Sequence, residues 1–123
     1  MVAVDFQIPA ARFGDDHSPF LSARLVADRL GITLAELSKL IGVARNTLTA
    51  KSGARKVDSA LSKVVRILAM ASEMAGDEAR AVIWFKHQPI PGWAGKTAYD
   101  LVGEGKADKV LAYLEAIRAG VYA

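Results

Sequence analysis

The chain has 123 residues, of which 52% are hydrophobic and 24% charged, and its formal net charge is +3 at pH 7. This composition is typical of a globular protein with room for one compact domain, or two small ones that share a helix, and it excludes a disordered chain. The absence of cysteine excludes disulfides and thiolate metal sites, and the two histidines, His17 and His87, are too far apart in sequence to pair on a helix. We therefore expect no metal site.

The sequence also disfavours a membrane protein and an enzyme. No apolar run approaches the length of a membrane span, and the N-terminus lacks the pattern of a signal peptide, so we expect a cytoplasmic protein. The sequence has no nucleophile elbow, no glycine-rich phosphate loop and no HExxH spacing. Asp15 and Asp16 are adjacent in a predicted loop, where carboxylates are usually solvated. We expect neither an enzyme nor a bound cofactor.

Residues 1–19 are predicted to form an N-terminal arm, because Pro9, Gly14 and Pro19 interrupt any regular pattern. Its apolar residues are expected to pack on the domain or on a second subunit; they are Phe6, Ile8 and Phe13. A helix is predicted over residues 22–30, ending at Gly31, with an apolar face that comprises Leu21, Leu25, Val26 and Leu30.

The clearest local signal lies between Ile32 and Lys51. Thr33 followed by Glu36 is a capping box, and the helix it begins should end at Leu40 or Ile41, with Gly42 in the left-handed position. A second helix is predicted over residues 44–50, with Ala44 and Leu48 directed to the core. Two helices joined by so tight a turn form a helix-turn-helix.

The start of the second helix carries side chains suited to base edges. In bidentate geometry Arg45 suits guanine and Asn46 suits adenine. Residues 37–72 contain seven basic residues against one acid, a net of +6, which matches the needs of phosphate contacts. The predicted DNA-binding residues are Arg45, Asn46, Thr49, Lys51, Arg55 and Lys56. The alternative is a surface helix of a bundle with an ordinary solvated face.

Residues 21–70 resemble the DNA-binding domain of Xre-type repressors. The resemblance is carried by Ser38 at the small interior position, Gly42 at the turn and Leu48 as the buried anchor; Ala44 and Lys51 depart from the family pattern. It implies a DNA-binding domain over residues 20–68 that acts on operator DNA. Because one such short helix gives modest affinity, we expect a homodimer.

The segment that follows predicts a long helix. We expect a basic loop over residues 51–57, then a helix capped by Asp58 that runs to about Ala75 and ends at Gly76. Its apolar surface is wider than one face, so it should serve two subdomains; the residues are Leu61, Val64, Val65, Ile67, Leu68, Met70, Ala71, Met74 and Ala75.

Residues 77–119 are predicted to form three more helices. The first is capped by Asp77, runs through Lys86 and is expected to bury Val82, Ile83 and Trp84. An irregular loop of prolines and glycines leads to a second capping box at Thr97 and Asp100, and this helix should stop at Gly103. A last helix over residues 106–119 precedes Gly120. The predicted fold is all-α: an N-terminal helix-turn-helix subdomain, a shared helix and a small C-terminal helical subdomain.

Residues 69–123 resemble the C-terminal domain of the Xre/MbcA/ParS family of antitoxins. The resemblance is carried by Trp84, the run Gly95 to Leu101 and a closing series of spaced residues; that series is Gly105, Val110, Leu114, Ile117, Gly120 and Val121, while Ala98 replaces the usual proline. It implies an antitoxin that neutralises a RES-domain, NAD-consuming toxin through this domain and represses its own operon. The expected toxin-binding residues are Trp93, Tyr99, Arg118, Gly120, Val121, Tyr122 and Ala123.

Two of these assignments have alternatives. Residues 121–123 either plug the NAD pocket of the toxin or merely complete the helix cap, and Trp93 either anchors the partner or holds its own loop down. For the whole chain, the alternatives to an antitoxin are a dimeric transcriptional regulator without a toxin partner and an interaction protein that has lost DNA binding.

Overall fold

The computed structural model describes residues 21–120. It contains seven α-helices within that range: α1 (Ala23–Leu30), α2 (Leu34–Ile41), α3 (Arg45–Thr49), α4 (Ala54–Ala75), α5 (Glu78–His87), α6 (Ala98–Gly103) and α7 (Ala107–Arg118). A 3₁₀ turn, Lys51–Gly53, joins α3 to α4. The described residues include no β-strand, only an isolated bridge between Pro89 and Thr97, so the all-α prediction is confirmed.

Helix α4 is the central element. It packs most extensively against α5 and α7, and it also contacts α1 and α3. One cluster of buried residues runs from α1 through α4 to α7, with Leu61, Ile67 and Leu68 almost fully buried along α4. This central position explains why the apolar surface of α4 is wide, because other helices pack against that surface on several sides.

The predicted helix ends agree with the structure at the two capping boxes and at the Gly42 turn. Both capping boxes form, at Thr33 with Glu36 and at Thr97 with Asp100. Gly42 has a φ of 68°, the left-handed conformation expected at the end of α2. A cap is a local hydrogen-bonded unit, so it forms wherever the helix that follows can form.

The start of α4 was predicted wrongly. The helix begins at Ala54, four residues before the predicted cap, after the 3₁₀ turn and without a side-chain cap. The Asp58 carboxylate instead accepts a hydrogen bond of 2.7 Å from the main-chain N–H of Leu21. An aspartate within a helix is free to satisfy an unpaired amide elsewhere, and here it ties the start of α1 to α4.

Three apolar side chains predicted to face the core are exposed: Leu25 by 37%, Met74 by 39% and Ile83 by 61%. In α5 the core-facing pair is Ala81 and Phe85, one turn apart, which places Ile83 about 200° around the helix from each. Val82 and Trp84 flank the buried face and are half-buried. The short hydrophobic run in α5 fits several faces equally well, and packing against α4 selects Ala81 and Phe85.

Candidate functional site

Helix α3 presents its polar side chains outward. It has five residues, of which only Leu48 is buried, while Arg45, Asn46 and Thr49 are exposed. These three side chains line an open concavity of about 510 Å³ together with Arg24 and Leu34. Within residues 21–120 none of the three side chains forms a hydrogen bond or ion pair. They are therefore available to an external polar ligand.

The turn that sets the angle between α2 and α3 is fixed by two features. The Ser38 hydroxyl donates a hydrogen bond of 2.7 Å to the carbonyl of Val43, across the Gly42 turn. Val43 is buried, whereas Ala44, predicted to face the core, is the exposed N-cap of α3. The prediction for Ala44 was wrong because α3 begins one residue later than expected, and Val43 takes the buried position instead.

The basic residues after α3 lie in two consecutive elements of the chain. Lys51 lies in the 3₁₀ turn, and Arg55 and Lys56 lie in the first turn of α4, not in a loop as predicted; all three are exposed. A Cβ added to Gly53 would lie 2.5 Å from the Thr47 Cγ2 and 2.8 Å from its carbonyl oxygen. This close approach keeps the start of α4 directly beside α3, so the basic residues follow the candidate base-contacting residues in space as well as in sequence.

Tyr99 lies where the N-terminal helices meet the C-terminal ones. Its ring is half-buried and makes an edge-on contact with Phe85, with 5.9 Å between ring centroids. Burial raises the pKa of the Tyr99 phenol, and the charges of Glu36 and Asp100 raise it further. The phenol stays protonated at neutral pH and can donate a hydrogen bond. Because α2 contacts α6, a partner bound at Tyr99 would also lie next to α2.

Trp93 lies in the loop between α5 and α6, half-buried against the core. The Lys106 ammonium is 5.5 Å from the centroid of its ring, which is within cation–π range. Lys106 and Lys96 both bind the Glu104 carboxylate, at 3.2 Å and 2.7 Å, and hydrogen bonds from Lys96 and then Lys106 lower the pKa of Glu104. These contacts favour the alternative in which Trp93 holds its own loop down, and they leave the exposed part of its ring available to a partner.

The remaining candidates lie at the end of α7. Arg118, the last residue of the helix, has its Nη1 3.6 Å from the Glu73 Oε1 on α4, and Gly120 follows with a φ of 84°. Val121, Tyr122 and Ala123 lie outside the described residues. Trp93, Tyr99 and Arg118 therefore have three separate local environments, whereas the α3 candidates share one surface.

Arg24 is the lining residue that the sequence analysis missed. Its position on the solvent face of α1 is readable from the apolar spacing, but its proximity to α3 depends on how α1 packs.

Two further observations concern other classes of site. No group of three potential metal ligands occurs in the described part of the chain. No helix within residues 21–120 is long and apolar enough to cross a membrane.

Residues 70–120 match the family described as the antitoxin Xre/MbcA/ParS C-terminal toxin-binding domain. The match covers less than half of the chain. The matched region, here called the antitoxin domain, starts within α4 and contains α5, α6 and α7. No curated protein and no solved structure matches the chain. The matched family suggests an antitoxin role, with a toxin as the partner of the antitoxin domain.

Proposed function

We propose that this chain is the antitoxin of a bacterial toxin–antitoxin pair that neutralises a RES-domain, NAD-consuming toxin and represses its own operon by binding DNA. The observation that carries the proposal is the family match over residues 70–120. The choice of a RES-domain toxin rests on the resemblance described above. The antitoxin domain would contact the toxin at Tyr99, at the exposed part of Trp93 and at Arg118, which lie in separate local environments.

The DNA-binding half of the proposal rests on residues 20–68, here called the N-terminal domain. Arg45, Asn46 and Thr49 are exposed on one short helix without internal partners, which suits base contacts in a major groove. Lys51, Arg55 and Lys56 follow directly and suit phosphate contacts. A homodimer would place two such surfaces on two half-sites.

Complex formation tests the toxin half. The chain is co-expressed with a RES-domain protein encoded beside it, and a tag on one protein is used to capture the other. We expect a stable complex in which purified toxin no longer consumes NAD. Capture failure, together with undiminished NAD consumption when the chain is added in excess, would favour the alternative of a transcriptional regulator without a toxin partner.

Sedimentation and DNA-binding measurements test the DNA-binding half of the proposal separately. We expect a dimer that binds a duplex selected from a random pool more tightly than an unselected duplex. A strictly monomeric protein, both free and on DNA, would contradict the two-half-site arrangement and leave the toxin-binding proposal unaffected.

A further inference from the structure

The concavity beside α3 has a second arginine, which comes from a different helix. Arg24 is the second residue of α1, and it lines the same open surface as Arg45, Asn46 and Thr49. Helix α1 buries Ala23, Val26, Ala27 and Leu30 against the core, so the position of Arg24 faces solvent. Contact between α1 and α3 brings this guanidinium to the candidate interface.

The charges around the concavity favour an anion. Its lining contains two guanidinium groups and, among the residues described, no carboxylate. The Arg24 side chain makes no hydrogen bond or ion pair within residues 21–120, although Asp28 lies one turn further along α1. Two unpaired cations on one surface repel each other, and an anion between or beside them removes that repulsion. Guanidinium groups bind phosphate oxygens in bidentate geometry, which makes phosphate the matching ligand class.

We propose that Arg24 binds a backbone phosphate of the DNA contacted by α3. The inference rests on the DNA-binding function proposed above and adds a residue from outside the predicted helix-turn-helix. Arg45 and Asn46 begin α3 and so occupy the end of the helix that would enter the groove. A side chain from the helix packed beside α3 reaches the sugar–phosphate strand that borders this groove. Arg24 therefore contributes affinity for DNA of any sequence.

The test measures the salt dependence of binding to a fluorescein-labelled duplex of mixed sequence, by anisotropy between about 50 and 200 mM KCl. Arg24→Gln should reduce the slope of log K against log salt by about 0.9, the value for one phosphate contact. Arg24→Lys retains the charge and should restore most of the slope. Arg80→Gln is the control, because it removes another exposed arginine, from helix α5, which contributes no residue to the lining of the concavity.

The outcomes separate the two proposals. Absence of any duplex binding by the unchanged protein would overturn the DNA-binding function and this inference with it. Normal binding with the same slope for Arg24→Gln and Arg80→Gln would overturn the role of Arg24 alone. Thermal unfolding of each variant, followed by circular dichroism, verifies that the slopes compare equally folded proteins; a slope loss in Arg24→Gln at unchanged unfolding temperature supports the inference.

Discussion

The ammonium group of Lys86 donates a hydrogen bond of 3.0 Å to the main-chain carbonyl of Leu30, 56 residues earlier in the chain. Leu30 is the last residue of α1, so this bond satisfies a carbonyl that the helix itself leaves without a partner. A second link, of 2.8 Å, joins the Arg29 guanidinium to the Glu78 carboxylate. The antitoxin domain thus caps and holds the first helix of the N-terminal domain.

The Lys86 bond predicts a stability effect that spans the chain. Lys86→Met keeps most of the aliphatic stem but removes the donor, so the end of α1 loses its charged partner. We expect the free energy of unfolding to fall by about 1 kcal/mol, less than the roughly 1.5–3 kcal/mol of a hydrogen bond to a charged group, because Lys86 is only half-buried. Urea denaturation measures it. Lys109→Met, at an exposed lysine of α7, is the control, and equal midpoints for the two variants would contradict the assigned role.

Gly53 predicts a steric effect. Gly53→Ala places a Cβ within 2.8 Å of the Thr47 carbonyl oxygen, so α3 must shift away from the 3₁₀ turn. We expect a loss of about 1–3 kcal/mol in unfolding free energy, as for other overpacked sites, together with weaker DNA binding. Gly103→Ala is the matched control, because an added Cβ there meets nothing within 4 Å and alanine suits a helix better. Denaturant midpoints that are unchanged by Gly53→Ala would show that the turn relaxes freely.

Glu36 predicts a pH dependence. Its carboxylate accepts a 2.8 Å hydrogen bond from the Thr33 amide, and bonds to Thr33 lower the pKa of Glu36 below its ordinary value of 4.5. The folded state therefore favours the ionised form. Its contribution to stability is fully present above pH 4.5 and disappears as the pH falls through the folded pKa. Glu36→Gln keeps an acceptor for the cap but does not titrate.

The check is urea denaturation at several pH values from neutral to about pH 3. The unchanged protein should lose more stability on acidification than Glu36→Gln does. Parallel pH profiles for the two proteins would mean that Glu36 has the same proton affinity in the folded and unfolded states, contrary to the capping geometry.

Arg45 and Lys56 are predicted to act differently on DNA. Arg45→Ala should cost on the order of 1–3 kcal/mol at a selected duplex and relax specificity at one base position. Lys56→Ala should weaken selected and random duplexes alike and reduce the salt slope by about 1. Titrations of both duplexes at two salt concentrations distinguish the roles. If each substitution weakened both duplexes equally, Arg45 would not read a base.

Deletion of residues 121–123 is predicted to separate toxin binding from toxin inhibition. Helix α7 ends at Arg118, and the deletion leaves every residue of the buried cluster described within residues 21–120 in place, so helicity and DNA binding should be retained. If this tail occludes the NAD site, tethering gives it a high effective concentration there, and its loss should leave a complex that still consumes NAD. NAD consumption is measured with full-length and truncated chains at matched occupancy. Full inhibition by the truncated chain would assign inhibition to another part of the antitoxin domain.

The amino-acid sequence by itself determined the features that depend on neighbouring residues. The capping boxes at Thr33 and Thr97 and the left-handed turn at Gly42 need only residues within one helical turn, and all three form as predicted. The run Gly95 to Leu101 carried the family resemblance, which the match over residues 70–120 bears out. Local hydrogen bonds and turn conformations have few alternatives, so short patterns specify them.

Tertiary structure decided which side chains share a surface and which partner each one has. Ile83 is exposed because packing on α4 selects Phe85, and Asp58 binds the Leu21 amide because α4 begins earlier than its most obvious cap. Arg24 joins the α3 surface through the packing of α1, and Lys86 reaches Leu30 across the fold. Such contacts join residues far apart in sequence, and their geometry depends on the orientation of whole helices. That orientation is set by the total burial of the shared core, which no local pattern contains.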